Sequence, residues 1–165
     1  ETGHLVLSTV HTSSAPQSID RIIDAFPHDQ QQQIRIMLSN SLVSVVAQTL
    51  LPRQEELAGG SPVTKGRILA CEILINTPAM ANLIREAKTE QIYSTMQMGA
   101  RQGMQTLEQS LANLVKANVV SMEEAMAKTS RPEDLRQLIG REKPATMAGA
   151  SPDSPPERKS MFGRF

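Results

Sequence analysis

The sequence is poor in several things at once. Its 165 residues include one cysteine, Cys71, no tryptophan, one tyrosine and three phenylalanines. A lone cysteine excludes both an internal disulfide framework and a multi-cysteine zinc site. Neither charge sign is in excess, with 17 Lys plus Arg against 17 Asp plus Glu. Nucleic-acid binders carry a clear basic surplus or stripe, so nucleic acid is not an expected partner. No uninterrupted apolar run approaches the ~18–20 residues that span a bilayer. Phe162 and Phe165 lie at the very end, so the ordered part must be built from Leu, Ile, Val and Met. Gly-x-Ser-x-Gly, Gly-x-Gly-x-x-Gly and Gly-x-x-x-x-Gly-Lys-Ser/Thr are all missing from this stretch, and with them a nucleophile elbow, a dinucleotide fingerprint and a phosphate-cradling loop. The chain starts at Glu1 and enters an apolar run with no charged leader, which reads as a fragment cut inside a domain.

What is there has a clear order. Leu5 to Val10 has the composition of a short buried strand, flanked by His4 and His11. Thr12-Ser13-Ser14 and Pro16 break it. Ile19, Ile22, Ile23 and Phe26 then fall on one helical face that ends at Pro27. Strand, polar turn and helix make half of a βαβ unit, the building block of parallel sheets. A second helix is expected through Ile34, Met37, Leu38, Leu42, Val45 and Val46, with a strand from Ala47 to Pro52. Arg53 to Gly66 contains Gly59-Gly60 and Pro62 and reads as an exposed loop. Ile68 to Ile75 is a second strand, antiparallel to the first.

From Thr77 onward the pattern is helical. Thr77-Pro78 is an N-cap with proline at the first helical position. Thr106-x-x-Gln109 and Ser121-x-x-Glu124 have capping-box spacing. Met104, Leu107, Leu111, Leu114 and Val115 form an apolar stripe, Gly99 and Gly103 mark a break before it, and Pro132 opens a last helix ending near Gly140. Residues 141–165 hold four of the ten prolines and little aliphatic content, the signature of a disordered tail. The division expected is 1–76, 77–140 and the tail 141–165.

Few residues carry chemistry on spacing alone. His4 and His11 are seven positions apart, roughly 23 Å along an extended segment, and point to opposite faces, so they cannot share an ion. His28 has no acidic or cysteine partner at ligand spacing, and no metal site is expected. His11 ends a strand and is followed by hydroxyl residues. In open α/β sheets that is where anions bind, but a helix cap formed by Ser13 or Ser14 explains the same residues. Cys71 lies in an apolar strand pattern as a small hydrophobe, and the nine methionines read as core filler. Arg21 and Asp24 suit intersubunit ion pairs or simply exposed charge.

The residues also carry a resemblance. Glu1-Thr-Gly-His4-Leu-Val-Leu-Ser-Thr-Val-His11-Thr-Ser-Ser-Ala15, followed by Ser18-Ile-Asp-Arg-Ile-Ile-Asp-Ala-Phe-Pro27, resembles the histidine-box region of the type II/IV secretion and type IV pilus motor ATPases. Ser39-x-Ser-Leu42, Val46-Ala-Gln-Thr-Leu-Leu-Pro52, Gly66-Arg67, Asn76-Thr-Pro-Ala79, Asn82-Leu-Ile-Arg-Glu86, Lys88-Thr-x-Gln-Ile92 and Gly103-Met-Gln-Thr-Leu107 continue it over about residues 1 to 127. The resemblance implies an α/β fold: the C-terminal portion of a RecA-like P-loop ATPase domain, with few strands, followed by an all-helical C-terminal subdomain. It implies a hexameric motor using ATP and Mg2+, with the Walker A and Walker B residues upstream of Glu1, so that this stretch alone is inactive. His4 and His11 match the two histidines of the family's box, His11 being nearer the γ-phosphate with Thr12 beside it. This favours the anion reading.

Within the family, secretion and extension motors carry a zinc module of two Cys-x-x-Cys pairs in the loop corresponding to Arg53–Gly66. The absence of cysteine there favours the retraction branch, and with it a motor for pilus retraction and twitching motility. The retraction motif would be Ala79, Asn82, Leu83, Ile84, Arg85 and Glu86, with Met80 and Ala81 departing from the family's usual Ile and Arg. Losing that arginine's charge and donors points to the alternative, a non-catalytic or accessory subunit of the same motor. A pilus extension or type II secretion ATPase is the third choice. Implied partners are a homo-hexamer, an inner-membrane pilus platform protein and a paralogous motor subunit. The implied location is cytoplasmic, peripheral to the inner membrane.

Overall fold

The computed structural model describes residues 3–56 and 62–140. In chain order the elements are α1 (Ala15–Asp24), α2 (His28–Ser41), β1 (Ser44–Glu56), β2 (Pro62–Ile75), α3 (Pro78–Arg85), α4 (Ile92–Met98), α5 (Leu107–Lys116), α6 (Met122–Lys128) and α7 (Pro132–Gly140). Single 3-10 turns at Thr89–Gln91 and Gly99–Gln102 flank α4.

Local chemistry sets most helix starts. Ser14 Oγ accepts from the Gln17 amide at 3.4 Å, and Thr77 Oγ1 from the Met80 amide at 3.4 Å. At α5 the box is complete: the Gln109 amide donates to Thr106 Oγ1 at 3.3 Å, and the Thr106 amide to Gln109 Oε1 at 3.0 Å. Each bond satisfies a backbone donor that the helix itself leaves unpaired. Ser121 accepts from the Glu124 amide at 3.2 Å. Gly103 turns the chain at φ +86°, a conformation glycine takes without cost.

β1 and β2 pair antiparallel with Val45 opposite Leu74, Ala47 opposite Glu72 and Leu51 opposite Ile68. Period-two alternation puts these on one face, where Ala47, Leu51, Ala70, Glu72 and Leu74 are buried. The register shifts between Pro52 and Gln54. There the Gln54 amide donates to Val119 O at 2.8 Å, tying the hairpin to the chain between α5 and α6. Two apolar clusters cover the buried face. One joins Ile19 and Ile23 of α1 to Leu74, Met80, Ile84, Ile92 and Met96. The other joins Leu51 and Ala70 to Leu111, Val120, Ala125 and Leu135.

Several expectations need correction. Leu5–Val10 is not a strand. Leu5, Val6 and Leu7 are 80 %, 78 % and 89 % exposed, and the only sheet among the described residues is the β1–β2 hairpin. An apolar run becomes a strand only when a neighbour supplies its ladder, and no described segment does. The half βαβ unit is therefore a helix preceded by an extended segment. The second helix stops at Ser41. Val45 and Val46 belong to β1, Val45 packed on the first cluster and Val46 half exposed. Arg53–Gly66 is not a loop throughout: the strands run on to Glu56 and back from Pro62, while Gly59-Gly60 lie outside the described residues. Phe26 is exposed, and Met104 precedes α5 to pack in the first cluster. Met80, Met96 and Met104 are core filler, but Met98 is exposed. Cys71 is half-buried. The tail, 141–165, lies outside the described residues.

Candidate functional site

A cleft of about 1050 Å³ opens between α1 and β1. His11, Thr12 and Ser13 line it from the end of the extended segment, Arg21 and Asp24 from α1, and Gln48 from β1. The turn that presents His11 is tightly bonded. The Thr12 amide donates to Val10 O at 3.1 Å, and Thr12 Oγ1 shares a hydrogen bond with Ser18 Oγ at 2.5 Å. Ser13 Oγ donates to Gln17 Oε1 at 2.8 Å, while Ser14 caps the helix. The cap assignment and the exposed histidine therefore coexist: Ser14 serves the backbone, and His11 is left facing the cleft. Gln17, Arg21 and Asp24 are spaced to follow one another along the same helix face. An imidazole and two hydroxyls just before the start of α1, with a guanidinium in its last turn, give the cleft donors that suit an oxyanion. Asp20, also lining the cleft, is shifted upward by burial, with a Thr89 hydrogen bond and the charge of Arg35 opposing.

His4 does not join this cleft. It lines a separate hollow with Leu5, Leu38 and Ser41. The residues of the proposed motor motif lie on α3 and its C-cap, Glu86, and none of them lines the His11 cleft. Thr77 caps α3, Met80 and Ile84 are fully buried, Leu83 packs on the same cluster, and Ala79 and Asn82 are exposed. Arg85 donates to Asn82 Oδ1 at 2.9 Å and reaches Ser39 Oγ and Asn40 Oδ1 at 3.4 Å each, which docks α3 on the end of α2. Glu86 pairs with Lys88 at 2.7 Å, and that contact lowers the carboxyl's pKa. Among the described residues no group of three or more His, Cys, Asp and Glu could hold a metal ion, and no helix is long and apolar enough to cross a membrane.

A second polar group escaped the sequence reading. Glu72, 4 % exposed on β2, accepts from the Ala15 amide at 2.6 Å, the first residue of α1. The Leu107 amide, at the first residue of α5, also favours its charged form. Burial nevertheless pushes its pKa up, and the neighbouring Glu108 adds to the rise. Glu108, 2 % exposed, accepts from Tyr93 Oη at 2.9 Å and from Thr129 Oγ1 at 2.8 Å. The Tyr93 hydroxyl is also 3.1 Å from Asp134 Oδ2, and Arg131 stacks 3.8 Å from its ring centroid. Burial and then the carboxylates push the phenol pKa upward. The sequence did hold one signal, a single acid inside the apolar run Ile68–Ile75. A carboxylate at such a position is buried only when paired or bonded.

Comparison with known proteins places this geometry. The profile of the family described as "Type II/IV secretion system protein" matches residues 1–127. The type IV pilus retraction ATPase PilT of Pseudomonas aeruginosa is 48 % identical over 134 residues, 81 % of this chain and 36 % of that protein. A twitching motility protein of Neisseria gonorrhoeae is 42 % identical over 135 residues, 82 % of this chain and 34 % of its own. This chain therefore spans about a third of the length of these curated relatives. The crystal structure of the pilus retraction motor PilT with bound ADP superposes with a TM-score of 0.68 at 44 % identity, over 83 % of this chain and 36 % of that one. The mixed α/β arrangement is that of the C-terminal portion of such ATPases, and the chain belongs to the type II/IV secretion system protein family.

Proposed function

We propose that this chain is the C-terminal part of an ATP-hydrolysing motor that powers type IV pilus retraction, and that the His11 turn faces the γ-phosphate of ATP. The observation that carries the reading is the grouping of His11, Thr12 and Arg21 in one cleft alongside α1, in a chain 48 % identical to a retraction ATPase. Hydrolysis in such motors is mainly positioning and charge stabilisation. In this reading His11 donates a hydrogen bond to a terminal phosphate oxygen, Thr12 orients beside it, and Arg21 adds positive charge. The Walker residues that hold ATP and Mg2+ come from outside this stretch. Residues 1–76 complete the ATPase core, and 77–140 form the helical part that passes motion to a platform protein at the inner membrane. Cytoplasmic homo-hexamers are the working assembly.

The test compares His11→Ala with His28→Ala in the full-length protein. His11→Ala should lower ATP turnover about tenfold or more, the scale for losing one oriented contact to developing charge, and His28→Ala should leave it unchanged. Equal turnover for His11→Ala and wild type removes the phosphate role. One residue favours a second reading, an accessory subunit of the same motor: Ala81, half-buried on α3, stands where the family motif has arginine. If Ala81→Arg raises pilus retraction without changing ATP turnover, the accessory reading gains.

A further inference from the structure

We infer that Ser18 is a positioning residue for the cleft: its hydroxyl holds that of Thr12 and returns it a hydrogen when Thr12 turns its own toward a phosphate oxygen. The inference rests on the phosphate-facing role of the His11 turn. Ser18 stands on α1 and is 3 % exposed. Its Oγ donates to Ser14 O at 3.0 Å and lies 2.5 Å from Thr12 Oγ1. A hydroxyl has one hydrogen to give and two acceptor positions. With the Ser18 hydrogen on Ser14 O, only Thr12 can donate across the 2.5 Å contact. The hydrogens then run from Thr12 to Ser18 to Ser14 O. In that order Thr12 Oγ1 offers the cleft lone pairs alone, which an anion repels.

The order can reverse without stranding a buried group. Ser14 O also accepts from the Ser18 amide, at 3.1 Å, so it stays bonded when the Ser18 hydroxyl leaves it. Ser18 then donates to Thr12, and Thr12 donates into the cleft. Two hydroxyl hydrogens rotate, and no covalent bond breaks. A hydrogen bond to an ionised phosphate is roughly twice as strong as one between neutral groups, which favours the reversed order once the anion is present. Ser13, the other hydroxyl of the turn, has no such exchange. It donates to Gln17 Oε1 at 2.8 Å, and an amide oxygen has no hydrogen to give back. The buried serine behind Thr12 is therefore what makes that threonine fit to face an anion.

Ser18→Ala removes this inward partner and keeps the helix, since alanine is smaller and the better helix former. In the full-length protein it should lower kcat for ATP about three- to tenfold, the worth of one hydrogen bond. KM should stay unchanged, because the residues that hold ATP come from outside this stretch. Thr12→Val keeps the shape of the threonine and removes its hydroxyl. In the Thr12→Val background, Ser18→Ala should lower kcat no further, whereas a packing role would cost the same in both backgrounds. Wild-type kcat in Ser18→Ala, or a loss that persists beside Thr12→Val, overturns the inference. A His11→Ala variant with wild-type turnover would defeat the phosphate reading instead. The comparison of Ser18→Ala in the two backgrounds then still decides whether Ser18 acts through Thr12.

Discussion

The two apolar clusters differ in what built them and meet at a layer that is not apolar. The first, around Ile19, Ile23, Leu74 and Ile84, draws on α1, the β2 end, α3 and α4. The second, around Leu51, Leu111, Val120 and Leu135, draws on the middle of the hairpin and on α5 to α7. Along the inner face of β2, Ala70 belongs to the second and Leu74 to the first, and between them stands Glu72. Apolar contact is non-directional and would let one cluster slide on the other. The carboxylates, Tyr93 and the helix starts admit one relative placement, because any other leaves buried polar groups unbonded.

The largest effects should come from breaking either cluster. Leu74→Ala and Leu111→Ala both truncate fully buried side chains, and each should cost about 2–5 kcal/mol. The comparison is decided by cooperativity. Tyr93, the sole tyrosine in a chain without tryptophan, reports the layer between the clusters by fluorescence, while circular dichroism reports helix throughout. In urea both signals should move at one midpoint in each variant. If Leu111→Ala splits them, with Tyr93 released before most helix is lost, the clusters are separate units.

A smaller loss is expected in the layer itself. Tyr93→Phe removes the hydroxyl that Glu108 and Asp134 share and leaves Glu108 with Thr129 as its remaining side-chain donor. The cost should be about 1–3 kcal/mol, that of depriving a buried acceptor of a partner. A urea midpoint equal to wild type, followed by circular dichroism, would mean that water replaces the phenol without loss.

The two regions were not equally legible in the sequence. Ser14, Thr77, Thr106 and Pro132 were readable because capping is decided within four residues of chain. Leu42, Val45 and Val46 were misassigned because a short apolar run fits the periods of both helix and strand. Leu5–Val10 shows the same limit, since composition reports a wish for burial and says nothing of a ladder partner. At the cleft, His11 and Thr12 were read as following a parallel strand, whereas they follow an extended segment with no ladder among the described residues. That Arg21 lines the same hollow depends on how α1 packs against β1. The Glu72 bond to Ala15 joins residues 57 apart, and no local pattern encodes it.

Glu72 also gives the layer a pH signature. Its carboxyl titrates above its ordinary value of 4.5 in the native state, chiefly through burial. Between the ordinary and the native value, the native protein holds more of this proton than the unfolded chain does. Stability from this group is complete below the ordinary value and is lost as pH rises through the native one. Glu72→Gln has no such group. The difference in unfolding free energy between wild type and Glu72→Gln should thus move against wild type as pH rises from about 4.5 toward neutrality. Urea titrations at several pH values read that difference. If it is constant across the range, the carboxylate is not strained by burial, and the Ala15 amide and its other surroundings fully offset its desolvation.

The smallest expected effect compares the helix ends on the two sides of the layer. After α3, Ala87 takes φ +57°, and the Lys88 amide closes on Leu83 O at 2.9 Å. After α5, Asn118 takes φ +54°, and the Val119 amide closes on Leu114 O at 3.0 Å. The closures match, but the residues in the left-handed position do not. Alanine there crowds its Cβ against the following carbonyl at about 1–2 kcal/mol, whereas asparagine tolerates the conformation. Glycine removes the crowding and returns part of the gain as extra freedom in the unfolded chain. Ala87→Gly should therefore stabilise by roughly 0.5–1 kcal/mol, and Asn118→Gly by less. Equal gains at the two sites in thermal unfolding would mean that the ends are alike in strain as well as in geometry. A loss at Ala87 would mean that the neighbouring Glu86–Lys88 pair needs the alanine backbone to hold its 2.7 Å contact.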